Sequence, residues 1–280
     1  MPDERGPVAG PVRKRFGQHF LADRLALGRI ADAVGAPPGG TVVEVGPGRG
    51  ALTDELVARG WQVIAIEIDR DLVRHLRARY ADVPAVRIVE GSILDTDLAA
   101  EAKGEYRLVG NVPYNITTPI IFHALRAPRP ATAVYLVQRE VADRPAAAPG
   151  SGAYGALSVN VQSVARVELL GHVKAGAFHP PPKVESSIVR LTPLAAPVVG
   201  PDDEVALRAF VVAAFGQRRK QILRVVRQIA SVDAARADAA LRAAGVDPTR
   251  RPETLSSEEF ARLLAALRHQ PGPGKLALKG

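Results

Sequence analysis

Between Thr41 and about Leu191, short apolar and β-branched runs alternate with amphipathic stretches. Seven runs read as strands: TVVEV (41–45), QVIAIE (62–67), VRIVE (86–90), YRLVG (106–110), TAVYLVQ (132–138), ARVELLG (165–171) and SSIVRL (186–191). Helical patterns such as LTDELVARG and RDLVRHLRARY lie between most of them. A strand that follows a helix returns parallel to its predecessor, and strands this uniformly apolar are buried on both faces. The expected fold class is therefore α/β, a seven-stranded, mostly parallel sheet with helices on both sides.

The flanks are different in kind. Residues 1–12 are rich in Pro, Gly and charge and read as a flexible N-terminus. RKRFGQHFLADRLALGRIADAVG is a basic entry followed by a helical apolar pattern that stops at Gly35, and PPGG breaks the chain after it. TPLAAPVVGPDD reads as a linker, after which EVALRAFVVAAFGQRRKQILRVVRQIA, DAARADAALRAAG and SSEEFARLLAALRH carry helical period and no strand signal. The expected organisation is an α/β domain over 13–192, a linker at 193–203, a small all-α domain over 204–270 and a flexible tail at 271–280.

Two stretches carry chemistry. VVEVGPGRGALT follows the first strand and opens a helix. Gly46, Gly48 and Gly50 allow a tight turn and a close approach to a ligand where a Cβ would clash. About 20 residues on, the second strand ends in AIEID, placing Glu67 where it can accept from both hydroxyls of a ribose. The spacing also fits the dinucleotide fingerprint G-x-G-x-x-G/A, with Ala51 last. The loop alone thus indicates a nucleoside cofactor; Pro47, and Glu44 two places before the first glycine, favour S-adenosyl-L-methionine over NAD.

The second stretch is LVGNVPYNITTP, 108–119, on the same carboxyl edge of the sheet. An adenine exocyclic amine is a poor nucleophile because its lone pair is delocalised into the ring. Two acceptors on its two N–H groups favour the pyramidal form that attacks a methyl carbon. The Asn111 side-chain oxygen and the Val112 backbone carbonyl are the candidates. Pro113 stiffens the loop, and Tyr114 offers a face on which an unstacked base can rest. No general base or metal is required, since the amine proton becomes acidic once the methyl is transferred.

Bulk properties narrow the partners. The chain has no cysteine, which excludes disulfides and thiolate metal sites, and no apolar run approaches a membrane span. MPDERGPVAGPVRKRFG lacks the apolar core of a secretory signal, so the cytoplasm is expected and a membrane is not. Net charge is +8, and between Pro193 and Gly280 there are 14 Lys or Arg against 9 Asp or Glu. Most of the excess thus lies in the last third, where it would attract a polyanion such as nucleic acid. Candidate contacts are Arg218, Arg219, Lys220 and Arg224, with Arg227 following, and a second cluster at Arg13, Lys14 and Arg15.

Together with RKRFGQHFLAD, EVGPGRGALT, NVPYNITTPI, VQREVADR, PGSGAYGALSVNVQ, FHPPPKVESSIVRL, FGQRRKQILR and RPETLSSEEFARL, these residues make the chain resemble the ribosomal RNA adenine dimethyltransferases of the KsgA type. The resemblance covers almost the whole chain. It implies a Rossmann-like class I methyltransferase domain with a helical C-terminal domain, and S-adenosyl-L-methionine as methyl donor. The implied substrate is a pair of adjacent adenosines in the hairpin loop near the 3′ end of 16S rRNA, in an immature small ribosomal subunit. Cofactor contacts are implied at His19, Leu21, Gly46, Gly48, Glu67, Ile68, Ser92 and Asn111, and a second base-flanking aromatic at Phe178. A monomer is expected. His19 stands where the family often has Asn. Ser92 departs further: the family's usual Asp there accepts from the cofactor's adenine amine, and Asp95 is a candidate substitute. Two other readings fit the same residues, a large-subunit methyltransferase of the macrolide-resistance type and an assembly factor whose binding role dominates; GQRRKQILR and RPETLS favour the small-subunit enzyme.

Overall fold

Each of the seven runs forms a strand. In the computed structural model, which describes residues 19–112 and 116–268, nine strands occur: β1 Phe20–Leu21, β2 Thr41–Val45, β3 Gln62–Glu67, β4 Val86–Glu90, β5 Tyr106–Asn111, β6 Ala133–Gln138, β7 Ala165–Val173, β8 Phe178–His179 and β9 Ser186–Pro193. The seven long ones make one sheet in the order β4-β3-β2-β5-β6-β9-β7. β4 through β6 run parallel, and β9 is antiparallel to β6. In β2, β5 and β6, neighbours that point to opposite faces, such as Val42 and Val43, Leu108 and Val109, or Val134 and Tyr135, are all buried. Both faces of the sheet centre are therefore covered.

The helices are α1 Arg24–Val34, α2 Ala51–Ala58, α3 Arg70–Arg79, α4 Leu98–Ala102, α5 Thr117–Ala124, α6 Arg139–Ala146, α7 Ala156–Gln162, α8 Pro201–Phe215, α9 Ile222–Ala230, α10 Ala234–Ala243 and α11 Ser257–Arg268. α1 shows how the local rules act. The Asp23 side chain accepts from the Ala26 amide at 2.9 Å, and Gly35 ends the helix at φ 61°. Leu27, Ile30, Ala31 and Val34 lie on one stripe and are buried against β-strand residues Val42, Val63, Val109 and Val134.

By contacts the chain forms two compact units. One holds the described residues up to Ala142 with Glu168–Pro193; the other holds Asp143–Val167 with the residues from Leu194 on. In the second unit Tyr154 and Val159 pack with Phe210, Ile222, Val225 and Phe260 in one apolar cluster, and the Tyr154 hydroxyl donates to the Leu255 carbonyl at 2.7 Å. The division by contact thus does not follow the order of the chain. The expected linker is also shorter than its composition suggests. α8 starts at Pro201, with proline in its first turn and Asp202, Asp203 and Glu204 beside the positive end of the helix. Leu194 and Val198 donate to the carbonyls of Val164 and Ser163 at 2.8 and 3.0 Å.

β2 and β5 lie side by side with Val45 opposite Gly110. A Cβ at Gly110 would stand 2.7 Å from the Val45 carbonyl oxygen and 2.9 Å from the Val45 Cβ. Gly110→Ala is expected to lose about 1–3 kcal/mol in denaturant unfolding. Gly152→Ala, where an added Cβ meets nothing, is expected to stay within about 0.5 kcal/mol of the parent. Equal losses for the two would mean that the seam between β2 and β5 has room to spare.

Candidate active site

In the parallel part of the sheet the strand order reverses between β2 and β5, β2 continuing to β3 and β5 to β6. The loops after β2 and β5 therefore diverge to opposite sides and leave a crevice at the strands' carboxyl ends. Gly46 and Gly48 occupy the left-handed region at φ 63° and 61°, which side chains enter at a cost. A Cβ on Gly48 would also press on the Phe20 ring at 3.0 Å. The Gly46 amide donates to the Ile66 carbonyl at 2.9 Å, which ties the loop to β3.

The crevice opens into a cavity of about 660 Å³. Its walls bring together every position expected to touch a cofactor: His19, Leu21, Gly46, Gly48, Glu67, Ile68, Ser92 and Asn111. Val112 joins them. Most of the remaining lining is apolar and includes Leu27, Ile66, Leu72, Ile93, Ile116 and Ile120, as suits a pocket for a flat ring system. Ile68, 53% exposed, is an apolar side chain held open at the cavity wall.

Two buried carboxyls, Glu67 and Glu44, sit in this wall beside the exposed Asp54. Glu67 is buried and accepts from the Gly48 amide at 3.3 Å and the Asp69 amide at 2.9 Å. Burial raises its pKa, and these amides pull it back down. Glu44 is deeper, 1% exposed, and accepts from the Thr53 hydroxyl at 2.6 Å. Burial pushes its pKa up to about 8, against the lowering effect of the Thr53 hydrogen bond. The nearby Asp54 and Glu67 charges push it the same way as burial.

The remaining positions divide. The Asn111 amide nitrogen donates to the His19 backbone carbonyl at 2.8 Å, and the Val112 amide donates to Leu136 at 3.2 Å. The His19 ring itself is hydrogen-bonded to the Pro180 carbonyl at 2.8 Å. Ser92 caps a short 3-10 turn, accepting from the Leu94 amide at 3.2 Å. Asp95, the candidate substitute, is exposed and lies three residues beyond Ser92 in the same short turn. Phe178 is 4% exposed and packs in the apolar cluster with Leu21; its neighbour His179 lines the cavity instead, because alternate residues of β8 point opposite ways. Pro113 and Tyr114 lie outside the described residues, as do Arg13, Lys14 and Arg15. Sequence reading missed Phe20 and Arg49. The Arg49 guanidinium stands 4.9 Å from the Phe20 ring centre, and both line the cavity. Phe20 inside the GQHFL stretch was the available signal.

In the second unit, Arg218, Arg219 and Lys220 occupy the turn between α8 and α9. Arg224 and Arg227 lie on the exposed side of α9, whose other side buries Ile222, Val225 and Val226. Other arginines of this unit are ion-paired, Arg242 with Asp238 at 2.6 Å and Arg250 with Glu259 at 2.5 Å. These five cations have no acidic partner among the described residues.

Solved structures share this architecture. A dimethyladenosine transferase from Plasmodium falciparum aligns with a TM-score of 0.75 at 23% identity, covering 88% of this chain and 96% of that one. The 23S rRNA methyltransferase ErmE aligns with a TM-score of 0.69 at 30% identity, covering 89% of this chain and all of that one. The fold and the crevice are those of a Rossmann-like methyltransferase. Within that class, a family described as ribosomal RNA adenine dimethylase matches residues 11–268, and the chain belongs to it. Ribosomal RNA small subunit methyltransferase A of Pseudomonas aeruginosa is 43% identical over 264 residues, covering 93% of this chain and 96% of its relative. The protein of the same name from Hahella chejuensis is 43% identical over 259 residues, 91% and 93% of the two chains. The chain is an rRNA adenine dimethyltransferase.

The elevated Glu44 pKa has a consequence for stability. The unfolded chain releases this proton near pH 4.5, whereas the folded chain holds it to about pH 8. The folded state thus binds more protons between those values, and the Glu44 contribution to stability falls as pH rises through that window. Glu44→Gln keeps an acceptor for Thr53 and has no proton to lose. Its stability relative to the parent is expected to climb from pH 5 to pH 8, reaching on the order of a few kcal/mol, and then to level off. Denaturant midpoints at pH 5, 6.5, 8 and 9 read this; a gap that does not change with pH would place Glu44 ionised throughout.

Proposed function

We propose that the chain dimethylates N6 of two adjacent adenosines in the 3′-terminal hairpin loop of 16S rRNA, acting as a cytoplasmic monomer on an immature small ribosomal subunit. S-adenosyl-L-methionine, which supplies an electrophilic methyl on a sulfonium, would occupy the cavity. The observation that carries this reading is the convergence of the eight expected cofactor positions and Val112 on one crevice. The cavity has the volume of a nucleoside-cofactor site, and the φ of Gly46 and Gly48 leaves backbone, not side chain, facing it.

In this reading Glu67 accepts from the ribose hydroxyls while the Gly48 and Asp69 amides hold its two oxygens. Ile68 and Ile93 enclose a purine, and Ser92 accepts from its amine. Glu44 provides a carboxyl whose ionised form is favoured by a cation entering the cavity. Asn111 Oδ1 and the Val112 carbonyl accept the two N–H groups of the target adenine, so that its lone pair is directed at the methyl. The nitrogen gives up its proton to solvent after transfer, so no side chain has to be a strong base. Tyr114 would stack on the flipped base, with Phe178 supporting the loop from the core. Arg218, Arg219, Lys220 and Arg224 would contact phosphates, together with Arg13, Lys14 and Arg15. The likeness to ErmE supports a second reading on large-subunit rRNA, which the higher identity to small-subunit methyltransferases makes weaker.

Incubation with labelled S-adenosyl-L-methionine and unmethylated 30S or 50S subunits, followed by mapping, decides between these readings. Dimethylation of adjacent 16S adenosines is the expected outcome, and label confined to 50S would overturn it. Asn111→Ala is expected to reduce turnover by at least about 10²-fold while still associating with immature subunits. Ser92→Asp is expected to tighten cofactor binding by about 1 kcal/mol in calorimetry; an unchanged Kd would show that the position is idle. Replacing Arg218, Arg219 and Lys220 together with Ala is expected to weaken rRNA binding and to flatten its log Kd against log salt slope by about 2. An unaltered slope would remove that turn from the RNA contact.

A further inference from the structure

We propose that His19 is a positioning residue for Asn111, its ring anchoring the backbone carbonyl that sets which end of the Asn111 amide faces the substrate. The proposal rests on the reading of Asn111 Oδ1 as an acceptor for the target amine. A side-chain amide has two ends of nearly equal shape and opposite function, one oxygen that accepts and one nitrogen that donates. Only one orientation presents Oδ1 to an amine; the flipped orientation would present N–H groups to N–H groups. The strand that carries Asn111 does not itself choose between them.

The choice comes from a residue 92 positions away. The Asn111 nitrogen donates to the His19 carbonyl oxygen at 2.8 Å. That oxygen can only accept. A flipped amide would set oxygen against oxygen at the same place, losing the hydrogen bond. The orientation of Asn111 is thus as secure as the position of the His19 carbonyl.

Backbone pairing gives that position part of its support, and the Ala22 and Asp23 amides extend it by donating to the Ala177 carbonyl at 2.8 and 3.3 Å. His19 precedes β1, a strand of only two residues, paired with the two residues of β8 through Phe20 opposite His179 and Leu21 opposite Phe178. A ladder this short is weak by itself. The His19 ring adds a side-chain tie at the other end of the ladder, from Nδ1 to the Pro180 carbonyl at 2.8 Å. Because a carbonyl oxygen cannot donate, Nδ1 must carry the proton in this contact. The ring is therefore fixed in one tautomer and engaged with protein. A continuous path results: Pro180 carbonyl, His19 ring, His19 carbonyl, Asn111 amide. On the opposite flank the Phe20 ring is held by Gly48 and Arg49.

The geometry of substitutes makes the idea testable. In Asn the amide nitrogen is attached to Cγ, as Nδ1 is in His, so His19→Asn can restore a donor at the same place. In Gln the nitrogen is one atom further out, at the level of Nε2. His19→Ala, His19→Asn and His19→Gln are to be compared for kcat on unmethylated small subunits, calorimetric affinity for S-adenosyl-L-methionine, and melting temperature. We expect His19→Ala and His19→Gln to lose roughly 10- to 100-fold in kcat at saturating cofactor, a larger loss than any fall in cofactor affinity, since His19 also lines the cofactor cavity. His19→Asn is expected to regain most of the rate. If the affinity of His19→Ala falls in step with its rate, the ring is a cofactor ligand and the proposal is wrong. Equal rates for Asn and Gln, or an unimpaired Ala variant, would also overturn it. Should His19→Ala fail to fold, the Asn and Gln pair still decides. Asn111→Ala measured alongside separates the two levels: full activity there refutes the acceptor reading itself, whatever the His19 series does.

Discussion

Val45 and Gly110 face each other across the seam where the strand order reverses, and that register governs the placement of the chemistry. β2 and β5 are parallel, hydrogen-bonded neighbours, so the residues that follow Val45 and Gly110 leave the sheet at one level. One chain continues into the glycine loop and the other into Asn111 and Val112. The absence of a side chain at Gly110 is what allows the strands to close, since a Cβ would overlap the Val45 carbonyl. A slip of one residue would turn every side chain to the opposite face and carry Asn111 away from the loop. The close packing of the four buried parallel strands β2, β3, β5 and β6 makes such a slip costly, so the core holds the site in register.

The cavity formed there is stabilised unevenly. Its apolar walls are ordinary core, continuous with Leu27, Leu52 and Ile30. Its two buried carboxyls are not. Glu44 is buried where burial opposes ionisation, and the Thr53 hydroxyl that donates to it only partly offsets this. Glu67 is better supported, by two amides. A fold selected for stability alone would place an amide or a hydrocarbon at Glu44. Retaining an acid there is the kind of local conflict that marks functional sites, and it is consistent with a cavity that receives a positively charged guest.

Much of this is legible in the amino-acid sequence. The seven strands are where the β-branched runs place them; in β2, β3, β5 and β6 burial on both faces demands continuous apolar sequence and leaves little freedom in reading it. The glycine loop and Glu67 were legible for a similar reason, their function being tied to strand ends. What was not legible depends on contacts between distant segments. β1 and β8 have two residues each, too few to show a period. The ring of His19 could be matched to a family position, yet nothing near it in sequence indicates Pro180 as its partner. Ser92 reads as a substituted ligand in sequence, whereas in three dimensions it is also a helix cap. Phe178 reads by resemblance as a base-flanking aromatic, and the alternation of a two-residue strand packs its ring in the core cluster and leaves His179 on the cavity. The segment from Asp143 to Val167 follows the α/β pattern in order but sends Tyr154 and Val159 into a helical core.

These failures share a cause that bears on how the enzyme works. The reaction assigned to the crevice asks for no strong base and no metal; it asks that an amine, its two acceptors and an electrophilic carbon be aligned. Catalysis of that kind comes from placement. Placement is achieved by residues that touch nothing reactive, such as Gly110 beneath the strand end, Phe20 against Gly48, and the His19 carbonyl behind Asn111. A motif names the atoms that meet the substrate, because those are shared by every chain performing the chemistry. The supports behind them can be built in many ways, so they appear only when the chain is folded. The short β1–β8 ladder, with the His19 ring beside it, is one of those supports, and it is there that small changes in sequence should lower catalytic rate more than cofactor affinity.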